Sequence, residues 1–89
     1  MNLFDHNAEK SVLGSMFIDK RKVPSVLNTL TDKHFSDGLN KQIFLATKEL
    51  NAKRIEIDYV SVLANLNGEN NHDMRSYIVD LANHVPSSA

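Results

Sequence analysis

The chain has no cysteine and no tryptophan, only three glycines and two prolines, and no excess of either charge. Without cysteine, disulfides and thiolate metal sites are excluded. The glycines, Gly14, Gly38 and Gly68, stand far apart, so there is no Gly-rich phosphate-binding loop followed by Lys and Ser or Thr. That leaves no visible nucleotide-hydrolysing site and no cofactor site. No apolar run approaches the roughly 20 residues that span a bilayer, and the N-terminus lacks a basic stretch followed by an apolar core. Ten Lys and Arg face eleven Asp and Glu, a formal net charge of -1. A strong non-specific nucleic-acid binder carries a marked basic excess, and an anionic membrane surface calls for the same. Neither is expected here, and a cytoplasmic location fits.

What is present reads as helix. At 89 residues the chain is one small domain. Asn7 suits an N-cap, Glu9 suits the positive end of a helix dipole, and Ala8, Val12, Leu13, Met16 and Phe17 recur at the helical period. Gly14 costs about 1 kcal/mol inside a helix, which points to a close neighbour, either in the core or on another protein. A second helix opens at Val23-Pro24, where proline is tolerated, and runs to Leu30. Thr31 to Phe35 forms a brief capped turn with Phe35 pointing inward. Asp37-Gly38 opens a longer helix over Leu39–Asn51, its stripe formed by Leu39, Ile43, Ala46, Thr47 and Leu50 with Phe44 at the margin. Asp58 caps a helix bearing Tyr59, Val62, Leu63 and Leu66, and Gly68 is expected to supply its left-handed end. The last helix, from about Asp73, turns Met74, Tyr77, Ile78, Leu81 and Ala82 inward and stops at Val85-Pro86. The expected fold is all-α, a small orthogonal bundle of four main helices plus a short helical turn.

Chemistry is sparse. His6, His34, His72 and His84 share no short helical spacing and have no carboxylates at metal-ligand intervals, so no metal site is expected. Asp37, Asp58 and Asp73 read as caps and helix starts rather than general acids or bases. Ser11 and Ser15 lack a partnered base, and no catalytic residue is assigned. Lys20-Arg21-Lys22 and Lys53-Arg54 are either solvated turns or a small nucleic-acid surface. By elimination the residues support a binding or scaffolding domain.

The stretch Asn7-Ala8-Glu9-Lys10-Ser11-Val12-Leu13-Gly14-Ser15, followed by Asp19, resembles the opening motif of the N-terminal domain of DnaB-type replicative DNA helicases, bacterial or phage. Further blocks agree in order. His34-Phe35 and Gln42-Ile43-Phe44 with Ala46 and Leu50 resemble the middle helix of that domain. Ile57-Asp58-Tyr59-Val60-Ser61-Val62 with Leu66 resembles its fourth-helix signature, and Tyr77-Ile78 with Leu81-Ala82 and Val85-Pro86-Ser87 its closing block. The chain departs from the pattern at Ser36, where an aromatic is usual, at Asn40, where histidine is common, and at Lys10, in place of glutamine.

The resemblance implies that residues 1–89 are the head of the collar of a hexameric helicase, supporting ring assembly and docking the C-terminal domain of primase, with a helicase loader as a further partner. It places a helical hairpin after the Val-Pro-Ser block, and the ATP- and magnesium-dependent motor in a separate RecA-like domain. The head alone is then a monomer or a weak dimer and not an enzyme. Partner contacts carry over to Asn7, Glu9 and Tyr77, with Lys10 in the same first turn. For Glu9 the alternative is dipole compensation, and for Tyr77 it is core packing. Two other readings stand beside this one: a stand-alone helical adaptor or inhibitor that mimics the head, and a small DNA-binding domain using Lys20-Arg21-Lys22.

Overall fold

Side-chain caps open four of the five α-helices in a computed structural model that describes residues 5–84. Five α-helices follow in order: α1 His6–Ile18, α2 Val23–Thr29, α3 Gly38–Ala52, α4 Tyr59–Asn65 and α5 His72–Leu81, with 3-10 turns at Lys20–Lys22, Asp32–His34 and Ala82–His84. There is no strand among the described residues. The fold is all-α as expected, with five α-helices at the five stretches where the spacing placed them, one more than the four main helices of the expected bundle. Val85-Pro86 and the residues before Asp5 lie outside the described region.

The caps follow side-chain chemistry. Asp37 Oδ1 accepts from the Asn40 N–H at 3.0 Å and opens α3. Asp58 Oδ1 accepts from the Ser61 N–H while Ser61 Oγ accepts from the Asp58 N–H, a reciprocal pair that opens α4. Asn71 Oδ1 accepts from Met74 N–H and starts α5. One expectation moves. Asp5, not Asn7, is the N-cap of α1: its Oδ1 accepts from the Ala8 N–H at 2.8 Å, and Asn7 is an exposed residue within the first turn. The earlier carboxylate wins because it reaches a donor that would otherwise lack a partner.

The helix stripes meet in one core that includes Leu13, Met16, Phe35, Ile43, Phe44, Val62, Ile78 and Leu81. α1 packs on α3, on α5 and on the closing turn after α5. Gly14 is buried on α1, consistent with close packing there. Phe35 is buried as expected, but Phe44 is at the centre of the core rather than its margin. Their rings lie 4.9 Å apart between centroids, tilted by 33°. Such a pair adds about 0.5–1.5 kcal/mol beyond the burial of its area. The α3 stripe also holds Thr47, whose buried hydroxyl donates to the Ile43 carbonyl at 2.9 Å.

The end of α4 corrects a second expectation. The left-handed residue is Asn67, at φ 56°, and Gly68 does not have a positive φ. Gly68 packs closely instead: a Cβ there would lie 2.4 Å from Met74 Sδ and 3.2 Å from Leu63 Cδ2, so the Met74 side chain would have to move aside. The segment Ile55 to Ile57 is irregular, with Ile57 buried and Ile55 exposed.

Phe44→Ala is expected to lower the unfolding free energy by about 3–5 kcal/mol in urea denaturation, the range for a buried aromatic. A loss within about 0.5 kcal/mol, the range of surface substitutions, would return this ring to the edge of the core.

Candidate interaction site

The first turns of α1 and α3 and the middle of α5 come together around one carboxylate. Glu9 lies four residues before Leu13 and seven before Met16, so it falls on the buried stripe of α1, not on its solvent side. It is 0% exposed. Its Oε2 accepts from the Ser36 N–H at 2.8 Å and from Ser36 Oγ at 2.8 Å. Its Oε1 accepts from Asn40 Nδ2 at 3.0 Å and, more weakly, from the Asp37 N–H at 3.4 Å. Glu9, one of the residues to which partner contacts carry over, is therefore buried rather than exposed. Its charge faces the N-terminus of α3 as well as lying in the first turn of its own helix, and there it meets the positive end of a second dipole.

Asn40 carries the network onward. It is fully buried, and its side-chain oxygen accepts from the Tyr77 hydroxyl. The polarity of this relay is forced. An ionised carboxylate only accepts, so the Asn40 amide NH2 must face Glu9, its oxygen must face Tyr77, and the tyrosine must donate. Burial, followed by the negative charge of Asp37, pushes the Tyr77 hydroxyl up to about 12, so it keeps the proton that it donates. Burial also acts to raise the Glu9 carboxyl, but the hydrogen bonds from Ser36, Asn40 and Asp37 outweigh it, and the net shift is below the ordinary value of 4.5.

At the surface the same network becomes accessible. Lys10, half-buried, places Nζ 5.1 Å from the centre of the Tyr77 ring, a cation–π contact. His6 Nδ1 lies 3.6 Å from Asp37 Oδ2. Of the sequence-derived candidates, Glu9, Lys10 and Tyr77 are thus brought together, and Asn7 lies exposed on the same first turn without a place in the network. Tyr77 is half-buried and packs against the core, as its core reading expects. Asn40 and Ser36 escaped as members of the site. Asn40 was detectable in principle, as a polar residue three, four and seven positions before Ile43, Phe44 and Thr47 on a buried stripe.

The basic clusters are organised differently. Lys20 pairs with Glu56 at 3.0 Å, Arg21 with Asp19 at 3.0 Å, and Lys53 with Glu49 at 2.9 Å. Lys20 and Arg54 border a separate cleft of about 390 Å³ floored by Val23, Pro24 and Ile57. Among the described residues no group of three or more His, Asp or Glu side chains could hold a metal ion, and no helix is long and apolar enough to cross a membrane.

Glu9→Gln is expected to destabilise the fold by about 2–3 kcal/mol, because both oxygens face N–H donors and either amide orientation opposes an NH2 to one of them. The pH dependence has a definite sign. A carboxylate lowered in the folded state contributes stability fully present above about 4.5 and lost as the pH falls through its folded value. Urea denaturation against pH is expected to show this acid loss in the native chain and a smaller one in Glu9→Gln. Equal slopes for both chains would remove Glu9 from the acid-sensitive set.

Comparison with known proteins bears on the domain as a whole. No curated protein matches the chain. Residues 1–89 match the family described as DnaB-like helicase N terminal domain. The match spans the whole chain, including α1, α3 and α5, the three helices that supply the relay. This chain belongs to the DnaB-like helicase N-terminal domain family.

Proposed function

We propose that this domain is the head of the collar of a hexameric replicative DNA helicase and that it docks the C-terminal domain of primase through the surface over the Glu9–Asn40–Tyr77 relay. Family membership supports a helicase N-terminal domain; the convergence of Lys10 and Tyr77 on one surface is the observation that carries the docking role. An aromatic ring with a polar tip, capped by a cation and held from below, has the character of an interface anchor. Glu9 enters as a positioning residue: it is buried, and it aims Asn40 and through it Tyr77. Lys10, Tyr77 and the exposed Asn7 are the side chains offered to a partner. All three departures from the family pattern, Lys10, Ser36 and Asn40, fall in this one network, so its partner surface is expected to be particular to this chain and its own primase. Ring assembly, a loader contact and an ATPase motor in a separate domain complete the proposal. The DNA-binding reading is disfavoured, because Lys20 and Arg21 already have carboxylate partners.

Calorimetric titration with the C-terminal domain of the cognate primase tests the docking role. Lys10→Ala is expected to weaken binding by about 1–2 kcal/mol, roughly ten-fold, as a residue at an interface anchor does. Its helical circular dichroism and urea midpoint should match the native chain, since a partly exposed cation–π contact is worth only about 0.5–1 kcal/mol. Native affinity in a folded Lys10→Ala chain, matched by native affinity in Tyr77→Phe, would overturn the assignment of this surface.

A further inference from the structure

The turn between α4 and α5 contains a reactive pair that the interaction site does not use. Asn67 is exposed and left-handed at φ 56°, and it is followed by Gly68, which is buried. It is the only Asn-Gly in the chain. A glycine after asparagine has no Cβ to hinder its backbone nitrogen from reaching the preceding side-chain amide, and its dihedrals move freely. In this fold that freedom is withdrawn. The Gly68 N–H donates to the Leu63 carbonyl at 2.8 Å, and the Asn71 N–H donates to the Gly68 carbonyl at 3.0 Å. The glycine packs closely against the side chains of Met74 and Leu63.

We propose that Asn67 is a latent deamidation site held shut by the closing turn of α4. The Gly68 backbone nitrogen loses its proton to solvent base and bonds to Asn67 Cγ. The Cγ–Nδ2 bond breaks, and Nδ2 leaves as ammonia after taking up protons from water. The product is a five-membered succinimide. Water then adds to either imide carbonyl and breaks one C–N bond, which leaves aspartate or isoaspartate at position 67. Only water and hydroxide are consumed. The first step requires the Gly68 nitrogen to be free of Leu63 and the peptide unit to rotate, so it proceeds from the locally opened turn.

The outcome is directional. Isoaspartate adds a methylene to the main chain beside Gly68, where Met74 and Leu63 pack closely, so the Gly68–Leu63 bond and the packing of Met74 are expected to be disturbed. Either product also places a negative charge just past the C-terminus of α4, the unfavourable end of its dipole. Met74 lies in the first turn of α5, the helix that carries Tyr77, so modification of this turn loosens one of the three supports of the relay. The chemistry itself is independent of any partner.

The test is incubation of the 89-residue chain in mildly alkaline buffer, with and without urea, followed by peptide mapping with mass spectrometry. Position 67 is expected to be the fastest converting asparagine in urea, and to convert at least about ten-fold more slowly in the folded chain, in step with protection of the Gly68 amide from hydrogen exchange. Asn71→Ala, which removes the side-chain cap of α5, should raise the folded rate several-fold and leave the urea rate unchanged. Equal rates in the folded chain and in urea would overturn the gate, as would a folded rate that ignores Gly68 amide protection. Another asparagine converting first in urea would overturn the site. If Asn71→Ala does not fold, the exchange comparison in the native chain decides alone.

Discussion

A single buried carboxylate orders the contacts that surround the candidate site. Glu9 has no lysine or arginine partner among the described residues, and it is held instead by donors from the approach to α3 and from Asn40. Burying a charge is costly unless hydrogen bonds replace the lost water. Here four donors do so, three of them from Ser36 and Asp37, the residues that lead into α3. These bonds hold the charge at the N-terminal end of α3. They also fix the distance between α1 and α3, and through Asn40 they fix α5.

The apolar core beneath gives this network its rigidity. Leu13 and Met16 continue the stripe on which Glu9 lies, and Phe44 continues the stripe of Asn40. Each polar member is therefore attached to a packed residue one or two turns away on the same helix. Phe35 and Phe44 lock the segment leading into α3 against that helix. This keeps the Ser36 donors in register with Glu9. A surface built this way can present Tyr77 and Lys10 with little freedom to lose, and small freedom to lose is what favours an anchor in binding.

Turns in this molecule are shaped by local pairing. Asp19 holds Arg21 through both its backbone and its guanidinium, which tightens the 3-10 turn after α1. Exposed pairs of this kind contribute little to stability, typically below about 1 kcal/mol. Their larger effect is on the local field, because they leave less basic charge available to an anionic ligand. Left-handed residues close α3 and α4 at Arg54 and Asn67, neither of them glycine. Asparagine tolerates that conformation well; arginine does so only because the turn bonds around it, Arg54 N–H to Asn51 and Ile55 N–H to Leu50, hold the chain.

By itself the sequence determined the helices, the caps of α3 and α4 and most of the core, whereas Asp5 and Asn71 took the caps of α1 and α5. These depend on spacing along one segment and on short side chains that reach backbone groups two or three residues away, so Asp37, Asp58, Leu13 and Ile78 could be read directly. It also carried the family, through blocks whose order survives the departures at Ser36 and Asn40. The α4 terminus misled, because a glycine near a helix end has two uses, and only the position of Met74 shows that this one supplies room rather than a left-handed turn. The site divided along the same line. Lys10 and Tyr77 could be nominated from the chain, but their meeting could not, since 67 residues separate them. The partners that hold Glu9, and the choice of Asn40 as its link to Tyr77, were decided only by tertiary structure: spacing can place a polar residue on a buried stripe, but it does not say which donor some thirty residues away will meet it.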